Sequence, residues 1–227
     1  MSGIDDLRPG DIGFGPIRGG AGLLVSAGQL LLGEGFRVGD LDIRHVFVVV
    51  EALHDEGPSV QYPTGVINKG SIVEAEPGGA VESPLMLDHW TRKFAYVRLP
   101  EDYPGQADDA AAIARAMIGT PYSFASYAAL AAWRMGIKTP KLERWIGRRQ
   151  PQVRLPEMHK STLGEDRGYL RVNLPCEAIC SVLADQAWSL TGKKIMEGVA
   201  HQCVTPGALA RRLLEMDGTH WIWPGRE

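Results

Sequence analysis

Residues Arg44–Leu53 read RHVFVVVEAL, and this stretch decides the class of fold. An unbroken run of Val and Phe favours extended backbone, because branched and aromatic side chains fit a pleated surface better than a helix. Alternation along the run is weak, so a strand buried on both faces is expected, broken by Asp55 to Pro58. Upstream, Gly10-Asp11 opens a strand-like IGF, followed by the loop GPIRGGAG. Downstream, SIVEA (Ser71–Ala75) reads as a second long strand ending in the turn Pro77-Gly78-Gly79, and FAYVRL (Phe94–Leu99) as a third.

Helical signals come after these strands. DDAAAIARAMI (Asp108–Ile118) carries acids in its first turn and Gly119 as a stop, the pattern of a helix with both ends marked. Further helices are expected at Phe124–Met135 and Glu177–Thr191. Another is expected after Thr205, which is placed as the N-cap with Pro206 at the first helical position. The apolar GLLVSAGQLLLG (Gly22–Gly33) reads as a buried helix. Strands followed by helices, rather than a regular alternation, predict an α+β fold.

Composition narrows the function. The chain has 227 residues, 44% hydrophobic and 22% charged, enough for a buried core and without the signature of disorder. One domain over 1–227 is expected, with a loop-rich insertion at about 138–171. The net charge of -3 argues against a nucleic-acid binder, which ordinarily carries a basic excess. No apolar run approaches the roughly 18 residues of a membrane span. The start, MSGIDDLRPGD, lacks a basic region followed by an apolar stretch, so no secretory signal and a cytoplasmic location are expected. Three cysteines read as thiols rather than a disulfide framework. Within 138–171, nine basic residues face four acidic ones. A solvated loop is the simpler reading, and docking of an anionic or protein partner the competing one.

Few residues carry chemistry. GFGPIRGGAG precedes an apolar helix but lacks the GK[ST] ending of a phosphate loop and the GxGxxG spacing, and it reads as a turn. Cys180, in PCEAICSVLADQAW, falls early in a helix. Backbone N–H groups and the helix dipole at such a place stabilise a thiolate, and a histidine is the usual partner. The competing reading is a structural cysteine, since Ile179, Val182, Leu183 and Ala187 give this helix an apolar side. His45 begins the strongest strand and, taken alone, is a polar residue at a sheet edge. Glu74 sits inside the apolar SIVEA and must face water, pair with a cation or hydrogen-bond inward. Orienting an imidazole would satisfy it, whereas Glu76 falls at the turn and is expected in solvent. Cys176, Cys180, His201 and Cys203 also supply enough ligands for a closed zinc site, though C-x3-C with H-x-C matches no common zinc module.

Taken in order, LRPGDIGF, RHVFVVVE, SIVEAEPGGA, GTPYSF and AICSVLADQAW followed by TPGALA resemble the circularly permuted branch of the NlpC/P60 superfamily. This is a papain-like group that includes YiiX-type and lecithin:retinol acyltransferase-like proteins. In that branch the His strand comes first and the Cys helix last, as in this chain; the strand here lacks the glycines of the family's HVGIYVG. The resemblance covers most of the chain outside about 138–170 and 54–70. It implies a small antiparallel sheet packed against helices that include the Cys-bearing one. It further implies Cys180 as nucleophile, His45 as general base, Glu74 as the group that orients the imidazole, and Tyr122 near the oxyanion site.

The implied activity is that of a cysteine hydrolase working through an acyl-enzyme, with no cofactor and no metal. Substrates in such a family are peptides, peptidoglycan or acyl lipids, and amidase, peptidase, thioesterase and acyltransferase chemistry share these residues. A phage or mobile-element origin would place the chain with a virion. Two other readings stand beside the enzyme: a structural or assembly module on the same fold, and a zinc-stabilised domain that would unfold with chelator.

Overall fold

A computed structural model describes residues 6–17, 37–38, 41–52, 55–56, 67–68, 70–85, 89, 91–103, 105–122, 153–155, 170–172, 179–192, 194–199 and 204–224. In chain order its strands are β1 (Ile12–Gly15), β2 (Arg37–Val38), β3 (Leu41–Asp42), β4 (His45–Glu51), β5 (Asp55–Glu56), β6 (Ile67–Asn68), β7 (Ser71–Glu76), β8 (Gly79–Pro84), β9 (Ala95–Arg98), β10 (Val153–Leu155), β11 (Leu170–Val172) and β12 (His220–Ile222). The helices are α1 (Ala107–Ala116), α2 (Cys180–Ser189) and α3 (Pro206–Leu214). The fold is α+β, as the strand-then-helix order predicts. No helix among the described residues is long and apolar enough to cross a membrane.

One six-stranded antiparallel sheet, ordered β12-β9-β1-β4-β7-β8, organises the molecule. The run at 46–50 forms its centre and is buried throughout. Val46, Val48 and Val50 join the core shared with α1 and α2, while Phe47 and Val49 belong to a second cluster with Ile72, Phe94 and Tyr96. Two core clusters on one strand explain why its alternation is weak: neither parity faces water. The second cluster needs room in β1, where a Cβ on Gly13 would lie 2.0 Å from the Phe47 ring and one on Gly15 2.3 Å from Phe94. The glycines in IGFG are what let two aromatic rings lie against the sheet.

Helix α2 packs on β4, β7 and α1. Trp188 near its end donates from Nε1 to the Gly10 carbonyl at 3.0 Å, fixing the helix to the LRPGD segment. In that segment Asp11 is almost fully buried and receives both Nε and Nη2 of Arg98 at 2.9 and 2.8 Å. Such a forked pair compensates much of the cost of taking a carboxylate from water.

The strand expected to break at Asp55 ends at Glu51, and Asp55 and Glu56 pair with Asn68 and Ile67 in a separate small ladder. Most of the 138–171 stretch, expected to be a loop-rich insertion, lies outside the described residues; within it Val153–Leu155 pairs antiparallel with Leu170–Val172. The last long helix begins at Cys180 and not at Glu177, since Ile179 is still extended (φ -104, ψ 163). The helices expected at 22–33 and 124–135 lie outside the described residues.

Candidate active site

Three elements bring the site together. His45 is the first residue of β4, Glu74 lies within β7, and Cys180 is the first residue of α2. β4 and β7 pair with Phe47 opposite Glu74. His45 therefore lies two residues from that pairing with the same parity, the diagonal reach of a long side chain. The contact is direct: His45 Nε2 lies 2.7 Å from Glu74 Oε2. Glu74 is 8% exposed, so the imidazole supplies the partner that a carboxylate inside an apolar strand requires. Glu76, by contrast, is exposed at the turn.

Electrostatics give this pair its protonation state. Burial of Glu74 favours its neutral form, but hydrogen bonding and charge from His45, with smaller help from Ser83 and His89, hold its carboxyl below the usual range. An ionised carboxylate only accepts, so Nε2 carries the proton and donates. Burial likewise opposes a charged His45, yet the Cys180 side chain and then Glu74 outweigh it and push the imidazole pKa up to about 10. Nδ1 of the ring is buried and makes no hydrogen bond of ordinary geometry among the described residues. The Cys180 side chain is nonetheless the largest of the influences that raise the His45 pKa, ahead of Glu74.

Cys180 itself is fully buried. The residue before it, Ile179, has no side-chain oxygen and gives the helix no cap. The N-cap side chain therefore takes none of the first-turn N–H groups, which at a helix start have no partner within the helix. Helix α3 differs, for Thr205 Oγ1 accepts from Ala208 N at 3.2 Å. The cap and the Pro206 start expected from the sequence are both present there.

Tyr122 reaches the same place by another route. Gly119 N donates to Ala80 O, and Ala80 N to Thr120 O, each at 2.8 Å, so the GTPY segment is stitched to the β7–β8 hairpin. Gly79 takes φ +123 at this crossing, and a Cβ there would lie 3.1 Å from the Thr120 carbonyl oxygen. The Tyr122 side chain packs against the small cluster of Ile179 and Val182, as does Ile17. Burial, and then the Cys180 charge, push its phenol pKa up, so it remains a proton donor at neutral pH.

All four candidates, Cys180, His45, Glu74 and Tyr122, thus fall in one neighbourhood. Ser83 and His89 are the neighbours that sequence reading missed. Ser83 is legible only once β8 is recognised, when the pairing of Ile72 with Ser83 sets it diagonally from Glu74. Among the described residues no group of three or more His, Cys, Asp or Glu could hold a metal ion. Cys176, His201 and Cys203 of the zinc reading lie outside the described residues. Compared with protein-family models, curated proteins and solved structures, the chain has no significant match in any of the three.

Proposed function

We propose that the chain is a cysteine hydrolase of papain-like, permuted NlpC/P60 type, cleaving an amide, ester or thioester bond through an acyl-enzyme on Cys180. The observation that carries the reading is a single imidazole, His45, held by Glu74 at 2.7 Å through Nε2 and acted on by Cys180 at a helix start. A histidine joined to a carboxylate on one side and a thiol on the other is the arrangement that activates a nucleophile.

In the proposed cycle Cys180 and His45 start as a thiolate–imidazolium pair with the proton on Nδ1, consistent with the raised His45 pKa, and the thiolate attacks the substrate carbonyl carbon. A C–S bond forms and the carbonyl electron pair moves onto oxygen. The uncapped first-turn N–H groups of α2 and the Tyr122 phenol are the donors for that oxyanion. Collapse expels the amine or alcohol, which takes the proton from Nδ1. Water, deprotonated by the same nitrogen, then cleaves the thioester and restores the thiolate–imidazolium pair. Glu74 stays ionised throughout and stabilises the imidazolium. Because Cys180 is fully buried, a carbonyl reaches it only when neighbouring side chains yield, and Tyr122 is one of the half-exposed residues there.

Incubation with p-nitrophenyl acetate, followed by mass spectrometry of the intact protein and its peptides, tests the reading. Acetylation confined to Cys180 and abolished in His45→Ala is expected. Acetylation spread over surface amines, unchanged in that variant, would overturn it. The substrates that fit the proposal are a peptide, a peptidoglycan peptide or an acyl lipid.

A further inference from the structure

Ser181 follows the proposed nucleophile and is fully buried. A hydroxyl in that position could fold back onto its own helix, as serines within helices often do. Here it donates instead to the carbonyl of Val204 at 2.7 Å. Val204 and Thr205 are both fully buried, and Thr205 caps α3. One turn along α2, Asp185 is also fully buried, and its Oδ1 accepts from Met196 N at 3.1 Å. Ser181 and Asp185 are four apart and so share one helix face, and both bond to the connection that runs from α2 to α3. The opposite requirement, apolar packing on the sheet, is met by Leu183, Ala184 and Ala187.

We infer that Ser181 is a positioning residue for Cys180: its bond to the Val204 carbonyl fixes the first turn of α2 so that the thiol and the uncapped N–H groups face the His45 imidazole. This rests on the cysteine-hydrolase reading of the site. The first turn needs such an anchor because Ile179, the residue before it, gives it no side-chain cap. Frayed ends are the ordinary condition of an uncapped helix start. A displacement of about 1 Å at a reacting atom lowers rate by about a hundredfold, so the anchor acts on chemistry more than on substrate binding. This hydrogen bond ties AICSV to the residue that precedes TPGALA.

Ser181→Ala removes the bond, and Thr205→Ala, which removes the α3 cap beside it, serves as the stability control. Both proteins are compared with the parent well below their melting temperatures, with p-nitrophenyl acetate as acyl donor and iodoacetamide as a probe of the thiol. Ser181→Ala is expected to slow acetylation of Cys180 at saturating ester about tenfold or more, with the half-saturating concentration unchanged, while Thr205→Ala stays near the parent rate. Equal rates for Ser181→Ala and parent, or equal slowing in both variants, overturn the inference. If no ester acylates the parent, the hydrolase reading fails, and the iodoacetamide rate decides separately. A Cys180 alkylation rate that shifts in Ser181→Ala and not in Thr205→Ala sustains the positioning role, and one that shifts in neither removes it.

Discussion

His45 Nε2 and Glu74 Oε2 are 2.7 Å apart, although 28 residues and a strand crossing separate them in the chain. Antiparallel pairing of β4 with β7 sets Phe47 opposite Glu74, and the diagonal from that pairing leads to His45. The pair is held by backbone register, so its geometry depends on the sheet and not on a loop.

Stability should follow pH through this pair. His45 has its pKa raised from 6.5 to about 10 in the folded protein, so its stabilising contribution is complete below about 6.5 and is lost as pH rises through about 10. Glu74 has its pKa lowered from 4.5, so its contribution is complete above about 4.5 and is lost as pH falls through the lowered value. Both are complete only between about pH 4.5 and 6.5. Urea unfolding of parent and Glu74→Gln across pH should give the largest stability difference in that window, shrinking on either side. A difference independent of pH would contradict the coupling.

Reactivity of Cys180 should depend on both partners, in order. Iodoacetamide labelling, read by peptide mass spectrometry, should be slowed about 10²-fold or more by His45→Ala, because the proton acceptor is gone. Glu74→Gln keeps an oxygen acceptor for Nε2–H but removes the charge that stabilises the imidazolium, so a smaller loss is expected. Equal labelling of all three proteins would remove His45 from the role of base.

Gly13 tests the packing of the sheet. An added Cβ would lie 2.0 Å from the Phe47 ring, and the ring is enclosed by Phe94, Tyr96 and His89. Overpacking of this kind costs about 1–3 kcal/mol. Gly13→Ala should lower stability by about that amount in urea unfolding, and Gly13→Val by more.

Much of this arrangement is legible in the sequence, and the missing part has physical causes. The unbroken apolar run at 46–50 marks the central strand, and Glu74 stands out as an acid with no water-facing reason to be there. Strand β8 was not legible, since GAVESP carries only small or polar residues on its buried positions, Gly79 and Ala80. Strand β12 is three residues long at the sheet edge, too short for any periodicity. The true start of α2 was missed by three residues because Ile179 offers none of the oxygens by which helix starts are recognised. Register, which makes His45 and Glu74 neighbours, is written in no local pattern.

Tyr122 separates two contributions that one side chain makes. Its phenol, held protonated by burial and by Cys180, is the proposed oxyanion donor, while its ring packs on Ile179 and Val182. Tyr122→Phe keeps the ring and removes the donor. It should lower turnover by about 10²–10³-fold, the usual cost of a lost oxyanion donor, with little change in unfolding midpoint or in iodoacetamide labelling, a reaction with no oxyanion to stabilise. Tyr122→Ala removes both, and it should lower turnover while speeding the labelling of Cys180, because the fully buried thiol loses a neighbour that borders its approach. Turnover unchanged in Tyr122→Phe would leave the helix N–H groups as the oxyanion donors and restrict Tyr122 to packing.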